Sequence, residues 1–424
     1  MSERSSSPSA RVPGATAAAP LVAANAIAVA AVIAPPLALF AALGEAALLT
    51  LLALTLVALD PRGSFAAVRA FAGAATLLAA LAFWAAASAL WSMAPGHSLF
   101  EAARFLALSA AGLVVLGEAC VLHPFGRRRV GTALIIGTAL AVALLQLELW
   151  DGQALGRVLH GVTDGRFFLA SYDRGLVLLA LIAWPVMAIL SQRFGLWAAA
   201  MAALLMLQTL FAFYSHAAML AMVTGLVAAL IAWPAPRFIA AVMIVGMVAI
   251  AFLLPALLPD GPTIEHWYAL APMKASAPHR LAIWHFVAER ISERPFLGWG
   301  MDASRAIPGG AALVQEVMPA LPLGPSAQIL PLHPHNAALQ WRLELGLPGT
   351  VIALAFVALV LWRAVRAHAP AIALGFAAAA LTIAVLSFGA WQAWWLSSLW
   401  LVAAFIAATT EERVPEDRAS DARR

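Results

Sequence analysis

The sequence predicts an all-α membrane protein, a polytopic bundle of about 12 transmembrane helices with one large ordered loop, and three observations carry that expectation. First, 63% of the 424 residues are hydrophobic and only 11% are charged, with a mean hydropathy of +0.91. A soluble domain carries about 25% charged residues, so this chain cannot clothe a water-facing surface. Second, apolar runs of roughly 18 residues recur along almost the whole length, as spanning helices require. Third, no series of short alternating segments is present. That argues against a barrel, the other structure that satisfies its backbone in lipid.

Taken in order, residues 1–20 are rich in Ser, Pro and Ala with Arg4 and Arg11, and read as a disordered cytoplasmic tail without a clear signal-cleavage site. Residues 21–258 hold nine expected helices, near 21–34, 36–59, 70–91, 99–120, 130–150, 169–190, 195–214, 216–233 and 238–258. The first ends at Pro35-Pro36, which suggests a tight hairpin with the second. Residues 259–334 form the large loop, and 335–410 hold three more helices, near 336–362, 370–388 and 390–409. A second cytoplasmic tail, 411–424, closes the chain.

An even number of spans puts both termini on one side, and the arginines agree with it. Arg62, Arg69, Arg127 to Arg129, Arg193, Arg237, Arg363, Arg366 and Arg413 then fall on the cytoplasmic side. The opposite short connections, near Ala94 to Leu99, Tyr214-Ser215 and Gly389, hold no Lys or Arg, the asymmetry of the positive-inside rule. The expected location is an inner membrane with the large loop on the non-cytoplasmic side, which in a bacterium is the periplasm. The net charge of +4 comes almost wholly from arginine, Lys274 being the one lysine. No arginine run with interleaved aromatics suggests nucleic acid, and Cys120, the one cysteine, excludes an internal disulfide.

Two outer segments break the arginine asymmetry. The connection from Trp150 to Phe168 carries Arg157 and Arg166, followed by Arg174 in the next span. The long loop carries Lys274, Arg280, Arg290, Arg294 and Arg305. Within it, Leu281, Trp284, Val287 and Ile291 recur at helical spacing, so Arg280 to Arg294 reads as an amphipathic helix preceded by Pro278 and ended by Pro295. Arginine inside a span costs at least roughly 2.5 kcal/mol at the bilayer centre, so Arg174 needs a use. The neighbouring Asp173 offers a structural one as its ion-pair partner.

The densest signal is Leu332-His333-Pro334-His335-Asn336, running into Gln340-Trp341-Arg342-Leu343-Glu344-Leu345-Gly346-Leu347-Pro348-Gly349. His335 stands where the loop enters a span, with a side chain whose pKa suits a base toward a hydroxyl. Arg342 lies two helical turns on, about 10 Å deeper on the same face. Gly346 and Gly349 remove side chains from one face and permit close helix contact. A helix cap and a packing kink at Pro348 would explain the same residues without chemistry. His216 begins a span at the outer face, where site lining and interface packing are equal readings. Trp391, Trp394 and Trp395 suit an interfacial belt, and Glu45, Glu118 and Glu148 suit span ends or pairs across helices. His333, His285 and His266 have no metal-ligand spacing.

His335-Asn336, nine residues and then Gly346-Leu347-Pro348-Gly349 resembles the signature of the O-antigen ligase and O-antigen polymerase family. Arg280, Trp284 and Pro295-Phe296-Leu297-Gly298-Trp299-Gly300 are similar to that family's loop segment, and the match in motifs covers Arg280 to Gly349. The resemblance implies an inverting, metal-independent glycosyltransferase without a cofactor. Its donor would be an undecaprenyl-pyrophosphate-linked glycan, its acceptor lipid A–core, and its partners otherwise membrane lipid. His335 would be the base and Arg280 would stabilise the pyrophosphate, on a helix whose first amides add to the anion site. A second arginine is implied after an earlier periplasmic connection, for which Arg166 and Arg174 are both candidates; Asn336, Arg342 and His216 are further expected substrate contacts. A ligase is favoured over an O-antigen or exopolysaccharide polymerase or a protein-directed glycan ligase. A twelve-span transporter or flippase is the alternative from another class.

Overall fold

The computed structural model describes residues 19–162, 169–270, 276–321 and 323–410, so most of the two expected tails lies outside it. Four helices open it: α1 (Ala19–Ala41), α2 (Gly44–Leu59), α3 (Pro61–Ala70) and α4 (Ala72–Ala87). Then come α5 (Pro95–Cys120), α6 (Pro124–Trp150), the short α7 (Ala154–Leu159) and α8 (Asp173–Phe194). α9 (Leu196–Ala212), α10 (His216–Ala232) and α11 (Pro236–Phe252) lead to the loop helices α12 (Leu254–Leu257), α13 (Gly261–Leu270), α14 (Ser276–Glu293) and α15 (Val314–Val317). The chain returns through α16 (Ala337–Val365), α17 (Pro370–Leu386) and α18 (Ala393–Thr409). No strand occurs among the described residues, and the protein is an all-α, multi-pass membrane bundle.

Six helices are long and apolar enough to span by themselves: α1, α4 with its extension to Leu90, α5, α6, α8 and α16. α2 joins α3 at a 117° bend to give a seventh candidate. The remaining apolar helices, α9, α10, α11, α17 and α18, have 17 residues each. At 1.5 Å per residue they reach about 25 Å, short of a ~30 Å hydrocarbon core. All twelve expected segments are therefore helical, but only half of them span on length alone.

Pro35-Pro36 does not make the expected hairpin; α1 runs through both prolines and turns at Ala42-Leu43. The prolines leave the carbonyls of Ala31 and Val32 without their helical donors. Gly137 of α6 lies against those two oxygens, where a Cβ would come within 2.7 and 2.6 Å of them. The close approach covers the freed carbonyls with another helix's backbone, which is how membrane helices tolerate proline. α8 is the central post, buried from Gly175 to Ile189, and its Trp184 fills space left by Gly225 and Gly375.

The loop is tied to α16 where that helix breaks. Gly346 takes φ 61° and ψ −156°, a conformation open to glycine, and Pro348 has no N–H. The freed carbonyls of Leu343 and Glu344 accept from the N–H groups of Trp299 (2.9 Å) and Gly300 (2.8 Å), while the Leu347 N–H donates to Phe296 (3.1 Å). A Cβ at Gly346 would sit 2.1 Å from the Phe296 oxygen, and one at Gly298 2.5 Å from the Glu344 carbonyl. The two glycine motifs are thus two halves of one backbone joint. Gly346 serves contact with the loop, where helix contact was expected; Gly349 does face a helix, with Trp84 of α4 at 3.1 Å from its would-be Cβ.

Glu344 lies beneath this joint, fully buried. It accepts from the Asp302 N–H (2.8 Å), the Ser304 hydroxyl (2.5 Å), the Gln340 amide (3.1 Å) and the Trp391 indole (2.6 Å). Four donors replace the water a buried carboxylate loses, so the loop, α16 and the α17–α18 connection meet on one side chain.

Candidate active site

At the loop end of the bundle, α14 is already helical at Ser276, four residues before the expected start. Arg280 therefore sits one turn into the helix, not at its first amides, and Pro278 lies inside the helix. Trp284, one turn further on the same face, donates its indole N–H to the carbonyl of Pro334 (2.8 Å), and His279 bonds the Gln328 carbonyl (2.9 Å). These bonds hold the face bearing Arg280 against the segment that carries His335.

His335 adopts φ +55°, uncommon for a residue with a side chain. Its N–H donates to His333 Nδ1 (3.2 Å), the two rings stand edge to face at 4.4 Å, and its Nδ1 bonds the backbone carbonyl of Ser387. A carbonyl only accepts, so Nδ1 carries the proton and Nε2 keeps its lone pair. Burial lowers the His335 pKa; the Ser387 bond opposes this, and the charges of Arg280 and His279 add to the lowering. His333 is pushed down to about 3 by burial, with His335 and Arg305 contributing. Both imidazoles are neutral at pH 7.

Opposite them, at the start of α8, Asp173 lies near Ser215, His216 and Arg280. Asp173 thus does not pair with Arg174, the partner its sequence neighbour suggested. Arg174 instead lies over the Trp394 ring at 5.7 Å. Burial lowers the Arg280 pKa and Asp173 opposes it, and arginine stays cationic through such shifts. Among the described residues neither Arg280 nor Arg174 has a hydrogen-bond acceptor or an ion pair within 4.0 Å.

The structure therefore assembles Arg280, His335, His216 and Asp173, with Arg174 on the same α8 terminus. Arg166 falls in 163–168, outside the described residues. Asn336 is buried and its Oδ1 caps α16 by accepting from the Leu339 N–H (3.1 Å), so its side chain is a helix cap. Arg342 points to the loop joint, over the Phe252 ring at 5.1 Å with a 3.4 Å bond to the Pro295 carbonyl. Trp391, Trp394 and Trp395 are buried packing residues and not a belt, because each is drawn against α5, α16 or its neighbours. Glu148 accepts from Tyr172 and from the N–H groups of Leu155 and Gly156, a cap for α7. Ser387 escaped the sequence reading because it acts through its main chain, which no side-chain pattern reports.

This is also the region that known proteins share. A model of the O-antigen ligase family matches residues 201–354, from α9 through the break in α16. A candidate polysaccharide ligase of Rickettsia bellii is 30% identical over 332 residues, covering 75% of this chain and 76% of that protein. A second, from Rickettsia conorii, is 30% identical over 328 residues with the same coverage. The chain belongs to the O-antigen ligase family. It is accordingly a glycan-transferring membrane enzyme, and the matched region holds Ser215, His216, Arg280 and His335. Asp173, Arg174 and Ser387 lie outside the family match and reach the site through the fold.

Proposed function

We propose that this enzyme is an O-antigen ligase, moving a glycan from undecaprenyl pyrophosphate to a sugar hydroxyl of lipid A–core on the periplasmic face of the inner membrane. The observation that carries the reading is the nearness of Arg280, whose donors have no acceptor among the described residues, to a neutral His335 whose Nε2 has no partner among them. An anion is the missing partner of Arg280, and a proton is the missing partner of Nε2.

The acceptor oxygen attacks the anomeric carbon as the bond from that carbon to the pyrophosphate oxygen breaks. The bonding pair leaves on the pyrophosphate, and the hydroxyl proton passes to His335 Nε2. A single displacement inverts the anomeric centre. Negative charge grows on the leaving group, and Arg280, with Arg174 beside the same α8 terminus, supplies the compensating field. The scheme runs on arginine charge and needs no metal. The Asp173 charge lies near Arg280, and His216 lies near Asp173.

The test is transfer by purified protein in detergent, beside a lipopolysaccharide gel from a deletion strain complemented with wild type or His335→Ala. The variant should lose about 10²–10⁴-fold in kcat, and long glycan should accumulate on undecaprenyl pyrophosphate. A core carrying a single repeat, with no long lipid-linked polymer, would make the enzyme a polymerase instead. An unchanged ladder from His335→Ala would remove the base from the scheme.

A further inference from the structure

A cavity of about 510 Å³ opens on the far side of His333, and no residue of the arginine cluster lines it. Its wall comes from the loop end of α5 (Ala94, His97, Glu101, Arg104), the segment after the joint (Asp302, Arg305) and the α17–α18 connection (Gly389, Gln392). His333 belongs to both places: it lines the cavity, and its ring touches the ring of His335. Gly389 makes room for it, since a Cβ there would lie 2.9 Å from the His333 ring. His333 therefore stands between the cavity and the base.

We propose that this cavity is the acceptor subsite and takes a hydroxyl-rich sugar carrying a phosphate or carboxylate. The inference rests on the ligase reading above. Its chemistry is that of a saccharide site. His97 Nε2 bonds Asp302 Oδ2 at 2.8 Å, Glu101 is paired with Arg104, and Gln392 reaches His333 at 3.3 Å. Glu101 and Arg104 cancel as a pair, and all three pairs keep donors and acceptors for hydroxyl groups. Arg305 is different. It lines the cavity, is exposed, and has no ion pair or hydrogen-bond acceptor among the described residues. It is the cation of this wall without a partner among the described residues, and it reads the anionic substituent. His97, Glu101 and Asp302 also bring ligand atoms within 4.8 Å of one another, the spacing of a cation site. Their existing partners Arg104 and His97 favour the sugar.

The experiment is steady-state transfer with full-length protein in detergent, varying a phosphorylated lipid A–core acceptor and the undecaprenyl-linked donor independently. Arg305→Gln should raise the acceptor KM about tenfold and leave the donor KM within about twofold. Acceptor stripped of phosphate by hydrogen fluoride should give wild type that same high KM and lower the variant no further. Asp302→Asn is the second variant, expected to raise the acceptor KM with either acceptor form. An unchanged acceptor KM in both variants overturns the proposal, as does an acceptor KM set by added Ca²⁺ and abolished by EDTA. Failure of wild type to transfer at all would instead refute the ligase reading.

Discussion

The two ends of the bundle use arginine in opposite ways. At the end away from the loop, Arg127 donates to four main-chain oxygens: those of Leu122 (2.9 Å), Ala407 (2.9 Å), Thr410 (3.0 Å) and Cys120 (2.7 Å). Arg193 donates to the Thr132 hydroxyl and the Arg128 carbonyl, and Arg129 to Asn25. These guanidinium groups hold α5, α6, α8 and α18 together by satisfying carbonyls at helix ends. At the loop end, Arg280 and Arg174 lie beside a charge and over a ring face with no acceptor for their N–H groups among the described residues. Residue type and degree of burial are similar at both ends. What separates a structural arginine from one awaiting a ligand is whether the fold already supplies its oxygens.

The largest expected effect breaks that contrast at the loop end. Arg280→Ala should lower kcat by about 10²–10³-fold, the size of losing one preorganised stabiliser of developing charge, while melting in detergent stays near wild type. Arg280→Lys should not restore the rate, because a point charge cannot match two phosphate oxygens as the planar fork does. A melting temperature that falls with the rate would class Arg280 with Arg127.

The converse substitution is smaller and falls on stability. Arg127→Ala strands four carbonyls, and a cost of about 2–4 kcal/mol is expected in place of a catalytic defect. Thermal unfolding in detergent reads the first, and kcat per folded molecule reads the second. A kcat that drops while melting is unchanged would place Arg127 in the reaction and dissolve the distinction between the ends.

Much of this was legible in the sequence. Every expected span is helical, because continuous apolar runs leave the backbone no other option in lipid. Arg280 and His335 stood out through their spacing to Trp284 and Gly346, and the fold brings them together. The sequence was silent where function depends on the main chain or on distant pairing. Pro35-Pro36 reads as a break unless Gly137, a hundred residues on, is known to cover the freed carbonyls. Glu344 is one more residue of its motif in the sequence, and in the fold it gathers four donors from three segments. Asp173 was matched to its neighbour Arg174, because sequence shows adjacency and hides the fold that brings it near Arg280.

The finest consequence of the comparison is a pH effect carried by Arg280 and not by Arg127. His335 acts as a base only when neutral, so transfer falls as pH drops through its pKa. Burial sets that pKa low, and the Arg280 charge lowers it further by disfavouring a second cation nearby. Arg280→Gln removes that repulsion, so the pKa rises and the acid limb of kcat/KM moves to higher pH. His279→Gln should move it the same way by less, since His279 is the smaller of the two contributions. Arg127→Gln, at the other end, should leave the limb in place. The profiles are read from residual transfer, since Arg280→Gln also slows the reaction at every pH. An acid limb that moves to lower pH in Arg280→Gln, or that ignores the substitution, would mean the two groups do not share a site during turnover.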